Sequence, residues 1–235
     1  MTPSPIPIAI GLRNGVTLRG HEWSVDGPPV VFVHDLGHDL DAWGQTTSTV
    51  ARSGFRVISL ELRGHGLSDG DPDPSAALED LRLMLSEVVP SFGPVGLVSY
   101  GSSSEALLSL DGEDGAPVQV IISPKQLDPD GFDRAGAKRA VRLVIGGSLD
   151  EEAQAFLRKT YLNMLGEKLW VSVATAKHGP ALLIDQPSSL EHLTIFLRRY
   201  LTGYHLSWIK EHDGLIRAAA ESRGPDNEPA SQKEE

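Results

Sequence analysis

The stretch VGLVSYGSSSEALLSL, Val95 to Leu110, is where these residue types could carry chemistry. It reads as a buried strand, a sharp turn and a helix, the plan of a nucleophile elbow standing above an α/β sheet. The elbow pattern is G-x-S-x-G. Its five positions here are Ser99, Tyr100, Gly101, Ser102 and Ser103, so the place of the attacking hydroxyl holds Gly101. Glycine is at ease with the φ > 0 of such a turn, so the turn is expected to persist without its nucleophile. Ser102 is the nearest substitute, but a one-residue shift on a tight turn aims a side chain elsewhere, and a nucleophile must reach its base. Tyr100 reads as a packing residue beside the cleft.

A second candidate is HDLGHDLD. His34, Asp35, His38 and Asp39 are types that suit a hard or borderline cation. No second histidine cluster completes a site, so no metal is expected. With no cysteine there is no thiolate nucleophile, no thiolate metal site and no disulfide.

The elements that must position these residues follow from periodicity. Met1 to Pro7 reads as a flexible lead-in. Ile8–Leu12 and Val16–Trp23 read as two strands joined by Asn14-Gly15, a type I′ hairpin signal. Val30–His34 is a continuous apolar run, as in a strand covered on both faces. A helix is expected over Asp41–Ser53, capped by Asp39 or Asp41, then a strand over Phe55–Leu60. Ser75 is the expected cap of a helix running to Val89. Strands are expected at Val95–Val98, Val118–Ile122, Val141–Ile145 and Leu169–Ala174. Helices are expected at Ser102–Leu110, Asp150–Leu165, Ser188–Leu201 and Leu206–Ala220. Ser123 to Ala140 reads as irregular or weakly helical. Residues 8–220 thus form one expected domain, followed by a disordered acidic tail over 221–235 with five acidic and two basic residues.

A hairpin followed by alternating strands and helices gives a mostly parallel sheet of about eight strands with helices on both faces. Ligands in such sheets bind beyond the carboxyl ends of the strands. Those ends carry VFVHDLGHDLDAW, LELRGHGLSDG, SYGSSSEAL, GGSLD and AKHGPALL. Their order and content resemble the α/β-hydrolase superfamily, in particular its esterase- and lysophospholipase-like members, over roughly Val16 to Leu201. Arg63 to Ser68 looks like that family's turn after the fourth strand, and Gly147 to Asp150 like its acid-bearing turn.

The resemblance implies an α/β-hydrolase fold, with Asp150 as the site's acid and His178 as its base. His34-Asp35-Leu36-Gly37 is similar to the family's His-Gly-x-Gly oxyanion loop, with Asp35 replacing a glycine. The N–H groups of Leu36 and Ser102 would then be the oxyanion donors. Aspartate accepts φ > 0 less readily than glycine, and a carboxylate facing the site would oppose a developing oxyanion. His34 and His65 read as structural. Ser99, Ser103 and Ser104 stand where the family places glycines. The 123–140 stretch is too short for a multi-helix lid, so a minimal cap and an open cleft are expected.

The expected function is therefore that of an α/β-hydrolase-fold protein without serine-nucleophile hydrolysis. It would bind a small ester, lactone or acyl ligand, or a protein partner, in the inherited cleft. One alternative is an enzyme acting through a His178–Asp150 acid/base pair, in lyase- or oxygenase-like chemistry. The other is a carboxylic ester hydrolase using Ser102 or water activated by His178. No cofactor is expected. The net charge of −11 disfavours nucleic acid and anionic membranes as partners. No apolar run approaches a membrane span and no signal peptide is evident, so a cytoplasmic protein is expected.

Overall fold

A computed structural model describes residues 3–125 and 139–221. Eight strands form one sheet in the order β1-β2-β4-β3-β5-β6-β7-β8. They are β1 (Ile6–Gly11), β2 (Thr17–Trp23), β3 (Pro29–Val33), β4 (Arg56–Leu60), β5 (Gly96–Gly101), β6 (Val118–Pro124), β7 (Val141–Gly147) and β8 (Lys168–Val173). β2 pairs antiparallel with β1 and with β4, and all other neighbours are parallel. The expected α/β architecture is present.

Strand residues alternate between two cores because successive side chains point to opposite faces. Val31, Val33, Leu97, Ile121 and Val144 meet helices α2 (Ala77–Phe92), α3 (Ser104–Leu108) and α4 (Glu151–Asn163) on one face. Val30, Phe32, Val98, Val120 and Ile145 meet α1 (Thr46–Arg52), α5 (Pro180–Asp185) and α6 (Pro187–Glu221) on the other. The α2 residues Leu81, Met84, Leu85 and Val88 are buried at helical spacing, as are Leu193, Leu197 and Leu201 of α6. None of the helices among the described residues is long and apolar enough to cross a membrane.

Several boundaries differ from expectation, each for a local reason. β1 begins at Ile6, inside the expected lead-in, because β2 gives it a pairing edge from Glu22 onward. The hairpin is not type I′: only Gly15 has positive φ, at 87°. Gly15 N–H bonds Leu12 O at 2.9 Å and Leu12 N–H bonds Val16 O at 2.7 Å, the three-residue loop with glycine at its left-handed position. Gly44, at φ 51°, splits the expected 41–53 helix into a 3-10 turn at Leu40–Trp43, capped by Asp39, and α1. Asp73, not Ser75, caps the turn that leads into α2. The helix after the elbow is shorter than expected. The two expected C-terminal helices are one, α6, since nothing between Leu201 and Leu206 breaks the helix. Most of the cap region (126–138) and most of the tail (222–235) lie outside the described residues.

Candidate active site

The elbow is built where β5 ends. Gly101 has φ 66°, the left-handed backbone that a nucleophile normally tolerates under strain. The serines in place of glycines are absorbed by hydrogen bonds. Ser99 Oγ donates to Ser104 Oγ at 3.2 Å, and Ser103 Oγ donates to Tyr100 O at 2.8 Å. Tyr100 is buried against Trp43, edge to face at 5.0 Å, and Trp43 packs likewise on Phe32. Burial pushes the Tyr100 hydroxyl up to about 12, so it stays protonated, and it hydrogen-bonds with His38 Nδ1 at 3.0 Å.

Asp150 and His178 come from the ends of β7 and β8 and meet at 2.7 Å, Oδ2 to Nδ1. Asp150 also caps α4, its Oδ1 accepting the Ala153 N–H at 3.0 Å. One carboxylate thus does both jobs, and α4 holds it in place. A carboxylate oxygen on Nδ1 makes that nitrogen the donor, which in the neutral tautomer leaves the lone pair on Nε2. Nε2 is buried and has no hydrogen-bond partner among the described residues. Gly179, next in the chain, lies against the Tyr100 ring, where an added Cβ would stand 2.7 Å from Cδ2. The turn that carries His178 therefore packs on the residue just before Gly101.

The oxyanion loop departs from expectation. Asp35 is not forced into positive φ: Ser123 alone among the described non-glycine residues has that conformation. Its side chain, 1% exposed, points into the site. Oδ1 accepts the Leu36 N–H at 2.9 Å, the Ser102 N–H at 2.7 Å and the Ser102 hydroxyl at 2.5 Å. The two N–H groups expected to hold a substrate oxygen both converge on this carboxylate oxygen. A Cβ at position 101 would lie 2.2 Å from Asp35 Cγ. The carboxyl group therefore also fills the space that a side chain at 101 would need.

Sequence reasoning missed Lys125. Its Nζ meets Asp35 Oδ2 at 3.1 Å. It is placed by an irregular end to β6. Ser123 has φ 43°, the β5–β6 register shifts between Tyr100 and Gly101, and the Lys125 N–H donates to Gly101 O at 3.2 Å. The only available signal was a basic residue just past a strand end, in the same mouth as an aspartate. Burial would raise the Asp35 carboxyl, but the Ser102 hydroxyl, the Ser102 N–H and Lys125 outweigh it and hold the group below the usual carboxylate range.

That lowered value fixes the sign of a stability effect. The contribution of Asp35 is present above the unfolded value, about pH 4, and is lost as pH falls through the folded one. Replacing Lys125 with methionine is expected to cost about 1–2 kcal/mol at pH 7, less than the 3–5 kcal/mol of a fully buried pair because the lysine is one-third exposed. The cost should shrink as the acid range is entered, in urea titrations at stepped pH. A cost that does not change with pH would disprove the ion-pair origin.

The other candidates have separate tasks. His34 lies between the Leu62 N–H, which donates to Nε2 at 3.0 Å, and Asp35 O, 2.7 Å from Nδ1. Burial pushes it down to about 4, so the ring is neutral. His65 accepts the Gly37 N–H at 2.9 Å and bonds Arg63 O at 2.8 Å. Asp39 caps the turn at Asp41. His34, Asp35, His38 and Asp39 therefore do not converge, and no metal-holding group of three or more acidic or histidine side chains occurs among the described residues. Beside the elbow a groove of about 370 Å³ is lined by Leu36, Leu78, Ser102, Ser103, Glu105 and Ala106, among others.

With this fold and these strand-end residues, the comparisons agree on a class. The sequence pattern of the alpha/beta hydrolase family matches residues 30–227, and the chain belongs to that family. It is 33% identical over 108 residues to non-heme chloroperoxidase CPO-A1 of Kitasatospora aureofaciens, covering 44% of this chain and 38% of that one. It is 32% identical over 133 residues to the mouse (Mus musculus) sn-1-specific diacylglycerol lipase ABHD11, covering 53% and 40%. The matched stretches thus span less than half of either relative. Among solved structures, the Pyrococcus furiosus esterase Pf2001 superposes with a TM-score of 0.66 at 13% identity, over 84% of this chain and 91% of that one.

Proposed function

We propose that this protein takes a small molecule in the cleft at the strand ends and does not hydrolyse esters through a serine nucleophile. One observation carries the reading: the Asp35 carboxylate occupies both expected oxyanion donors and the side-chain space of position 101. Acyl transfer needs those donors free for the charge that develops on the substrate oxygen, where each is worth about 10²–10³ in rate. A negative charge already held there opposes that development. Ser102 is no substitute, because its hydroxyl is committed to Asp35 and its N–H to the same oxygen. An ester, lactone or acyl ligand would find both of these N–H groups taken, so recognition of its carbonyl falls to other parts of the cleft.

A second reading is favoured by His178. Its Nε2, without a partner among the described residues and backed by Asp150 on the other nitrogen, suits proton abstraction from a bound substrate without a covalent intermediate. The proposal is tested with a fluorophosphonate probe read by intact-protein mass. The wild-type protein is expected to remain unlabelled while a serine esterase control labels fully. Stoichiometric labelling of Ser102 or any other serine would overturn it.

A further inference from the structure

Two departures from the elbow pattern meet at one point. Position 35 has gained a side chain where the family's loop has none, and position 101 has lost one. The gained carboxyl lies in the lost volume. It is held there by four donors: the Leu36 N–H, the Ser102 N–H, the Ser102 hydroxyl and the Lys125 ammonium. We propose that these four donors form a carboxylate-binding site whose resident ligand is this chain's own Asp35, and that a small monocarboxylate takes its place when that side chain is removed.

The backbone segments that carry the donors are fixed independently of the group they hold. The Leu36 N–H lies in the loop after β3, whose first residue, His34, is anchored by its ring accepting the Leu62 N–H. The Ser102 N–H follows the left-handed turn at Gly101. Lys125 is placed by the kink at Ser123 and by its own N–H on Gly101 O. Removing the carboxylate leaves four partly buried donors without their acceptor, which costs stability, and an outside acceptor of the same shape recovers that cost. The site is matched to a planar group: one oxygen takes three donors and the other takes the ammonium. The space is that of a single carboxyl, so acetate and formate fit its shape and charge. Asp35 thus holds the place of an acid, the product class of ester and lactone hydrolysis. The inference stands on this geometry and is independent of whether the protein hydrolyses esters.

The test compares thermal unfolding of wild type and Asp35→Gly in sodium acetate, with sodium chloride at matched ionic strength. Binding to the folded form raises the midpoint with ligand concentration. The wild-type midpoint should respond equally to the two salts. Asp35→Gly should unfold at a lower temperature, and acetate should restore a large part of the loss in a saturable way that chloride does not. Asp35→Asn keeps the space filled and should show no acetate response. Adding Lys125→Met to Asp35→Gly should weaken the apparent acetate affinity about tenfold, the order of one charge-assisted bond. Asp35→Ala serves in its place if the glycine variant does not fold. An acetate response no larger than that of chloride in the folded variant, or one unchanged by Lys125→Met, would overturn the proposal.

Discussion

The double variant Asp35→Gly, Gly101→Ser is expected to hydrolyse p-nitrophenyl acetate about 10²-fold or more faster than wild type, and neither single change should do so. In Gly101→Ser alone, the new Cβ would meet Asp35 Cγ at 2.2 Å, on a backbone at φ 66°. Overpacking and left-handed strain together should cost about 2–4 kcal/mol, and the donors would remain occupied or be distorted. In Asp35→Gly alone the donors are free but position 101 carries no hydroxyl. Only together do the changes supply a nucleophile, a vacant pair of N–H groups and the existing His178–Asp150 pair. The coupling is non-additive because the two side chains claim one volume. A well-folded double variant without activity would show that His178 is out of reach of position 101. Activity in Gly101→Ser alone would show that Asp35 yields easily.

Asp80→Ala is expected to destabilise the protein by about 3 kcal/mol in urea denaturation, the range for breaking a buried ion pair. Asp80 is 1% exposed and takes both arms of the Arg63 guanidinium, at 2.7 and 2.6 Å. It also accepts the Asn14 side-chain N–H at 3.0 Å. One carboxylate from α2 thereby joins the β1–β2 hairpin to the loop after β4. Its removal leaves the Asn14 amide and a largely buried guanidinium without their partner. A loss below about 1 kcal/mol would show that water reaching Arg63 screens the pair as on a surface.

Much of the architecture was legible in the sequence because it is written in local signals. Apolar runs marked the inner strands, and the residues after each strand kept their order. Asp150 and His178 lie 28 residues apart, yet reading them from strand ends placed them in one site. Boundaries were less legible where a single residue decides them, as at Gly44, or where no breaker appears, as within α6. At the oxyanion loop the sequence raised both the backbone freedom of Asp35 and a carboxylate facing the site, but not that the carboxyl takes the two N–H donors and the volume of position 101. The volume gained at 35 and lost at 101 was visible as two departures, but that they compensate depends on long-range placement. Lys125 left no periodic trace, since an irregular strand end directs it.

The ion-paired bond between Asp35 and Lys125 also bears on descent. Asp35 stitches together the ends of β3, β5 and β6, so the chain's stability has come to depend on the mouth of its cleft. Steps back towards a serine at 101 are therefore ordered. Taken first, that step collides with the carboxylate; the aspartate must leave beforehand, at a cost to the fold and with no activity gained in return. Selection sees only the intermediate, and each single step is a loss. On the proposed reading, the filled elbow would act as a ratchet against a return to a serine at 101, even though Asp150 and His178 stay side by side.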